Sequence, residues 1–180
     1  MILLSRLGKS INLGGPGSGR HKTLSSLTDE ERSSVDRYVS GYGVRQSDET
    51  DFANALDKAP VFSGQAYRAL MLNGLDRLAY VPGKTIGVYL PTSFTKDKNL
   101  VGVYSPKYSD DKTSKMTVIS ANLKSGADIE EANPEQKEVI AKGGTHFRVD
   151  HADFFSTPHR IHLTEVDSPK INMNDVRFSR

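Results

Sequence analysis

The sequence changes in character at Pro60, where helix-like patterns give way to strand-like ones. Before Pro60, three acidic residues follow Thr28, as expected for an N-cap with a negatively charged first turn. We therefore predict a first helix that starts at Ser26 or Thr28, and a second around residues 48–56. After Pro60, β-branched and aromatic residues dominate short runs at 61–63, 65–70, 85–90, 101–104, 116–119, 137–140, 145–149 and 160–166. Helices first and strands afterwards predict an α+β domain rather than alternating βαβ units.

The composition narrows the class of protein. A chain of 180 residues is about the size of one domain. Cysteine is absent, which excludes disulfides, thiolate nucleophiles and cysteine-ligated metals. The net charge of +2 gives no electrostatic reason for tight binding to nucleic acid or to an anionic membrane. Because no apolar run approaches the roughly 20 residues that cross a bilayer, and the apolar start is too short for a signal peptide, we expect a soluble, non-secreted protein.

Glycine, proline and serine cluster at residues 14–19. Gly14 and Gly19 have the spacing of a phosphate-binding loop, but Arg20 and His21 stand where that loop needs Lys and Ser or Thr. We interpret the cluster as a linker. The predicted organisation is a flexible leader over residues 1–24, a folded domain over 25–167 and a C-terminal tail over 168–180. Polar loops are predicted at 108–115, 125–134 and 150–158.

Four of the five histidines lie close together in sequence, which raises the possibility of a metal site: His146, His151, His159 and His162. If residues 160–166 form a strand, side chains three positions apart point to opposite faces of the sheet. A metal ion shared by these histidines is therefore not predicted.

Polar residues inside apolar strands are more informative about function than the histidines. Arg68 interrupts one apolar run, and Ser93 and Thr95 follow another. Gln136 and Glu138 are two residues apart, which predicts that they share one face of a strand. Taken singly, each fits an exposed strand position or a surface ion pair.

Three motifs in this order resemble the signature of the Arg/Ser-Thr-Ser/Glu clade of the mono-ADP-ribosyltransferase toxins, in particular its clostridial exoenzyme-like members with a Gln-x-Glu pair: Tyr67-Arg68, Ser93-Phe94-Thr95 and Gln136-Lys137-Glu138. The stretch 139–149, with a Gly-Gly-Thr turn between apolar runs, is similar to the continuation of that signature. The resemblance extends over about residues 26–167. Three features depart from the common pattern of the family: the middle motif reads Ser-Phe-Thr instead of Ser-Thr-Ser, Ala69 stands where glycine is frequent, and Gln136 replaces the first acid of the Glu-x-Glu pair.

The resemblance implies a fold in which N-terminal helices pack on a split, mainly antiparallel β-sandwich core. It also implies NAD as the substrate, no metal, and transfer of ADP-ribose to a macromolecule. Glu138 would accept a hydrogen bond from the ribose 2′-hydroxyl and favour an oxocarbenium-like state, while Arg68 would bind the pyrophosphate. Ser93 would hold the Glu138 carboxylate in place. The implied NAD-binding set also includes Tyr67, Ala69 and Thr95.

Gln136 bears on the acceptor of the ADP-ribose. An amide can neither take a proton from a guanidinium nor pair with its charge, so Gln136 argues against arginine; Gln-x-Glu members of the family modify asparagine, glutamine, threonine or a nucleobase. The acidic segment 125–135 stands in the place of the family's substrate-recognition loop and would suit a basic protein surface better than a nucleic-acid backbone. We expect a monomer without a membrane partner that modifies a protein in the cytoplasm of a bacterial or other host cell.

Two alternatives remain open at this point. NAD hydrolysis, with water as the acceptor, would use the same residues. The leader resembles linkers of phage head proteins, which would fit a phage-encoded enzyme carried in a virion, or a non-catalytic structural module of the virion.

Overall fold

The computed structural model describes residue 24 and residues 26–102 and 113–168. Within these residues the elements are α1 (Asp29–Arg37), α2 (Glu49–Lys58), β1 (Val61–Leu72), α3 (Gly74–Arg77), β2 (Thr85–Gly87), β3 (Thr92–Thr95), β4 (Lys115–Asp128), β5 (Glu138–Ala141), β6 (His146–Asp153) and β7 (His159–Val166). Shorter helical turns lie at Tyr38–Tyr42, Gln46–Asp48 and Lys98–Gly102. The predicted order of helices first and strands afterwards is confirmed.

The first helix begins at the predicted N-cap. The Thr28 side chain accepts a hydrogen bond from the Glu31 N–H, and the Glu31 carboxylate accepts one from the Thr28 N–H at 2.9 Å, which is a capping box. The same carboxylate binds Lys58 at the end of α2, with 2.7 Å between Oε1 and Nζ. Both helices then pack on the ends of β4 and β5 through one apolar cluster: Leu24, Leu27, Val35, Phe52, Ala55, Leu56, Ala59, Ala127, Ile129 and Ile140.

The long strand β4 divides the sheet. Along one edge it pairs antiparallel with β1, from Ala127 opposite Val61 to Lys115 opposite Leu72. Along the other edge its residues 117–122 pair in parallel with β7, and residues 127–128 pair antiparallel with β5. The seven strands follow the order β1-β3-β5-β4-β7-β6-β2, and every pairing except β4 with β7 is antiparallel. The predicted α+β fold with a split, mainly antiparallel core is confirmed.

A second apolar cluster fills the interior between the strands. It draws side chains from β1 and from β3 to β7, and the rings of Phe94 and Phe147 lie 6.3 Å apart across it. Phe147, Val149 and Ile161 are fully buried. Burial of a side chain of this size stabilises a fold by about 1.5–3 kcal/mol. The strands that carry the polar motifs are therefore held in a rigid core.

Strand β4 is longer than the sequence indicates. A loop is predicted over 125–134, but β4 continues to Asp128 because β1 and β7 both hold this stretch. The Glu165 carboxylate of β7 accepts a hydrogen bond from the Ser125 N–H at 3.1 Å. A Cβ on Gly126 would lie 2.7 Å from a methyl group of β5, so only glycine permits this close approach of two strands.

Other predicted boundaries shift as well. The strand predicted at 85–90 ends at Gly87, and the one predicted at 101–104 begins inside the helical turn Lys98–Gly102, its last two residues being outside the described part of the chain. The predicted leader and tail also lie outside it, apart from Leu24 and Ser168 at their borders. Among the described residues, no helix has the length and apolar character to cross a membrane.

Candidate active site

A cleft of about 650 Å³ opens between the helical layer and the strands β1, β3 and β5. One side is formed by α2 and by the helical turn Tyr38–Tyr42 that continues α1. The strands contribute Arg68, Ser93 and Glu138. The volume is within the range of small-molecule sites, which is about 300–1,000 Å³.

Glu138 lies at the start of β5 and is 5% exposed. Its carboxylate accepts hydrogen bonds at both oxygens: the Ser93 hydroxyl donates to Oε1, and the Asn133 Nδ2 donates to Oε2 at 2.7 Å. Burial raises the pKa of Glu138 above its ordinary value, whereas these two hydrogen bonds and the charge of Arg68 act in the opposite direction. The site therefore holds a buried carboxylate whose ionised form has two fixed donors.

Arg68 lies on β1 with its side chain in the cleft. Its Nε is buried and has no hydrogen-bond partner within the described residues. Burial lowers the pKa of Arg68, and the neighbouring Tyr38, Tyr80 and Glu138 oppose that shift. A guanidinium offers a planar fork of N–H donors, and its place in the cleft suits Arg68 to an anionic ligand.

Tyr38 extends the hydrogen-bond chain that starts at the Glu138 carboxylate and passes through the Ser93 hydroxyl. Its hydroxyl lies 2.6 Å from the Ser93 Oγ, and its ring stacks on Phe52 with 4.7 Å between centroids. When Glu138 is ionised it can only accept, so Ser93 donates its single proton to Glu138 and Tyr38 must donate to Ser93. Burial raises the pKa of Tyr38 to about 12, which keeps the phenol protonated for this role.

The structure brings four of the predicted site residues into the cleft: Arg68, Ser93, Gln136 and Glu138. Three others do not line it. Tyr67 and Ala69 lie on the opposite face of β1 from Arg68, because side chains alternate along a strand, and the Tyr67 hydroxyl donates to Gln65 at 2.6 Å. The Thr95 hydroxyl accepts a hydrogen bond from the Asp97 N–H at 3.1 Å and so closes a turn.

Gln136 and Glu138 both line the cleft. The prediction that they share one face of a strand is wrong. Gln136 precedes β5 and does not belong to the strand. Between them, Lys137 has a φ of 47°, in the left-handed region that ends regular strand geometry. The Gln136 N–H instead donates to the Asn133 carbonyl at 3.2 Å. A turn, not strand alternation, places Gln136 at the cleft.

Part of the charge of the acidic segment 125–135 is paired within the chain. Asp128 and Glu130 both pair with Lys96, with N–O distances of 2.7 Å and 2.5 Å. The Glu131 carboxylate accepts a hydrogen bond from the Leu24 N–H at 3.0 Å. Because one lysine faces two carboxylates and the N–H that binds Glu131 is uncharged, the segment keeps a net negative charge.

His159 and His162 lie on opposite faces of β7, as their spacing of three predicts. His159 is 7% exposed and packs its ring edge-on against Phe154, with 5.6 Å between centroids, whereas His162 is exposed on the other face of β7. The His162 ring lies 5.9 Å from that of His151 on the neighbouring strand. His159 and His162 therefore cannot share one ion.

No protein-family model matches the chain, and no curated protein sequence matches it. Solved structures do match. The Vis toxin, an ADP-ribosyltransferase from Vibrio splendidus, has a TM-score of 0.69 over 84% of this chain and 80% of its own, at 18% sequence identity. The Clostridium limosum C3 exoenzyme has a TM-score of 0.55 over 81% and 88% at 11% identity, and Pseudomonas aeruginosa exoenzyme S, solved with carba-NAD, has 0.51 over 88% and 82% at 14%. This chain has the ADP-ribosyltransferase fold.

The cleft of this ADP-ribosyltransferase fold combines two complementary functions. A guanidinium with an unpaired donor can bind an anionic group, and a buried carboxylate nearby can favour positive charge that develops on a ligand. Tyr38 and Asn133, which the sequence analysis does not identify as site residues, hold the carboxylate arrangement together. Tyr38 appears in the sequence only as part of an apolar helix face, and Asn133 only as part of a polar loop.

Proposed function

We propose that this chain is an NAD-dependent mono-ADP-ribosyltransferase of the clade with Arg, Ser and Glu motifs. The observation that carries the proposal is the meeting of Arg68, Ser93 and Glu138 in one cleft of an ADP-ribosyltransferase fold. These residues come from three strands that are far apart in the sequence. The three motifs resemble that family in sequence, and the presence of Arg68, Ser93 and Glu138 in one cleft supports the resemblance.

NAD matches the chemistry of the cleft. Its pyrophosphate would bind the Arg68 guanidinium, for which a planar fork of donors is well suited. In the reaction, the bond between the nicotinamide nitrogen and ribose C1′ breaks, the electron pair leaves with nicotinamide, and positive charge develops on the ribose. Glu138, which would accept a hydrogen bond from the 2′-hydroxyl, stabilises that charge. A nucleophilic atom of the acceptor then bonds to C1′, and its proton passes to solvent water.

The acceptor in this proposal is a protein side chain other than arginine. Gln136 lines the cleft beside Glu138, where it would face the incoming acceptor. An amide can donate and accept hydrogen bonds but cannot neutralise a guanidinium. This favours a neutral acceptor such as an amide or hydroxyl side chain. If water takes that place instead, the same chemistry yields NAD hydrolysis.

The experiment that tests the proposal measures both products of NAD cleavage, nicotinamide and the ADP-ribose group. The protein is incubated with NAD labelled in the adenylate phosphate, with and without bacterial and eukaryotic lysates, and released nicotinamide is quantified alongside label in macromolecules. Label in a protein band supports transfer. Nicotinamide with free ADP-ribose alone supports hydrolysis. No nicotinamide release under any condition would contradict the proposal.

The site of action proposed here is the cytoplasm of a target or host cell, where NAD and macromolecular acceptors are present. One solved structure with a TM-score of 0.51, XopAI from Xanthomonas axonopodis pv. citri, is a type III effector. Carriage in a virion is a further proposal. It rests on the linker-like composition of residues 14–20 and is tested by mass spectrometry of purified particles.

Gln136→Ala is expected to separate transfer from NAD cleavage. Because Gln136 makes no hydrogen bond to the Glu138 carboxylate, its loss should leave NAD hydrolysis within about twofold of the wild type. Transfer to the acceptor should fall about tenfold, as expected for the loss of contacts that orient a reactant. The matched control is Gln65→Ala, an exposed amide on β1 outside the cleft. An equal loss of both activities in Gln136→Ala would refute this division of roles.

Tyr38→Phe is expected to lower the rate of NAD cleavage about fivefold without unfolding the protein. The substitution removes the hydrogen bond to Ser93, worth about 1 kcal/mol, but keeps the ring that stacks on Phe52. Nicotinamide release and the thermal unfolding midpoint are measured together. Tyr67→Phe serves as the control because that hydroxyl lies outside the cleft. Equal rates for Tyr38→Phe and the wild type would show that Ser93 needs no support from Tyr38.

A further inference from the structure

We propose that Asn133 is a positioning residue that connects the NAD half of the site with the acceptor half, an inference that rests on the proposed function. Its side-chain amide donates to the Glu138 Oε2 at 2.7 Å. Its backbone carbonyl accepts a hydrogen bond from the Gln136 N–H at 3.2 Å. One residue therefore contacts both members of the Gln-x-Glu pair.

The side-chain contact determines how the Glu138 carboxylate is oriented. The last torsion of a glutamate is broad, so a single hydrogen bond leaves the carboxylate plane free to rotate. Ser93 holds one oxygen and Asn133 the other. Two donors on opposite oxygens fix the plane, and the carboxylate still has lone pairs available for a ribose hydroxyl. Asn133 thus supplies the second of the two hydrogen bonds that fix the orientation of the carboxylate.

Backbone hydrogen bonds join the two ends of the segment 129–137 and attach its start to the Glu138 carbonyl. The Ile129 N–H donates to the Glu138 carbonyl at 3.1 Å, and the Asn133 N–H donates to the Ile129 carbonyl at 3.1 Å. Glu138 itself is held by strand pairing with β3. If the Asn133 amide is removed, the strand stays in place and the segment loses an anchor. The position of Gln136 then becomes less defined, so transfer should suffer more than NAD cleavage.

The electrostatic surroundings of Glu138 give a second readout. The charged or titratable groups that face it are Arg68 from β1 and Tyr38 from the turn after α1, while Ser93 and Asn133 are neutral donors. Burial raises the pKa of Glu138, and the Asn133 hydrogen bond opposes that rise. Loss of this donor should move the acid limb of the pH profile of NAD cleavage to higher pH. A second carboxylate at position 133 should move it further.

The experiment measures nicotinamide release and macromolecular transfer between pH 4 and pH 9 for the wild type, Asn133→Ala and Asn133→Asp. In Asn133→Ala, NAD cleavage at neutral pH should fall about tenfold, and transfer should fall at least a further ~3-fold. The midpoint of the acid limb should lie higher in Asn133→Ala than in the wild type and highest in Asn133→Asp, which is nearly isosteric with asparagine. The matched control is Asn122→Ala, an exposed asparagine on β4 that faces Thr164 and should behave as the wild type.

The outcomes separate this inference from the proposed function. If the wild type cleaves NAD and both variants keep its rates, its ratio of transfer to cleavage and its pH midpoint, the role of Asn133 is overturned while the proposed function stands. The role is also overturned if cleavage and transfer fall equally, the midpoint of the acid limb is unchanged and the temperature of thermal unfolding drops. That pattern indicates a structural contribution only. A wild type that cleaves no NAD overturns the proposed function and this inference with it.

Discussion

Glu138→Gln is expected to lower the rate of NAD cleavage by at least about 100-fold. The substitution keeps the size of the side chain but removes the negative charge that would stabilise the oxocarbenium-like state. Losses of preorganised electrostatic groups typically cost about 3 kcal/mol or more in the barrier, which corresponds to this factor. Nicotinamide release under single-turnover conditions measures it. The control is Glu30→Gln, which removes an exposed carboxylate in the first turn of α1.

The same variant should change how stability depends on pH. Because burial raises the pKa of Glu138, the folded state binds this proton more tightly than the unfolded state does. The stability contributed by the protonated group is present below the ordinary glutamate pKa and is lost as the pH rises through the raised value. Glutamine does not titrate, so the variant does not lose this stability. The free energy of unfolding of Glu138→Gln should therefore rise relative to that of the wild type as the pH rises. Urea unfolding at pH 4 and pH 8 measures the difference, and a difference that stays constant would contradict a raised pKa of Glu138.

Arg68→Met is expected to weaken NAD binding about 100-fold. Hydrogen bonds to a charged phosphate contribute about 1.5–3 kcal/mol each, and methionine removes them all. Stability should fall at neutral pH, because the substitution removes the positive charge that favours the ionised form of the buried Glu138 carboxylate. Calorimetric titration with NAD and chemical unfolding measure the two quantities.

Arg160→Met is the matched control for Arg68, since it removes an exposed arginine from β7 outside the cleft. It should change neither NAD affinity nor the unfolding free energy by more than about 0.5 kcal/mol. If Arg68→Met instead keeps full affinity and loses several kcal/mol of stability, Arg68 is a structural residue and the proposed pyrophosphate site is wrong.

The sequence identifies the central residues because their chemistry is unusual for their position. Arg68, Ser93 and Glu138 are polar residues in apolar strands, and all three line the cleft. The predicted α+β order depends on a clear change of pattern at Pro60 and is equally well specified by the sequence. Both predictions depend on local periodicity, which a single sequence displays directly.

The residues that support the site could not be found in this way. Tyr38 fits an apolar helix face, and only tertiary packing shows that its hydroxyl reaches Ser93 on β3. Asn133 lies in a polar turn without periodicity, so nothing in the sequence indicates its contact with Glu138. The prediction for Gln136 assumed strand alternation, which the left-handed backbone at Lys137 interrupts. Contacts made across turns depend on backbone dihedrals that residue type alone does not specify.

The most direct test of the account is a crystal structure of the protein with carba-NAD, an analogue whose nicotinamide cannot be released by glycosidic cleavage. The account predicts that the pyrophosphate contacts the Arg68 guanidinium, that the nicotinamide-side ribose 2′-hydroxyl donates to the Glu138 carboxylate, and that Ser93 keeps its hydrogen bond to Glu138. An analogue bound elsewhere on the molecule, or no binding at millimolar concentration with the cleft intact, would contradict it.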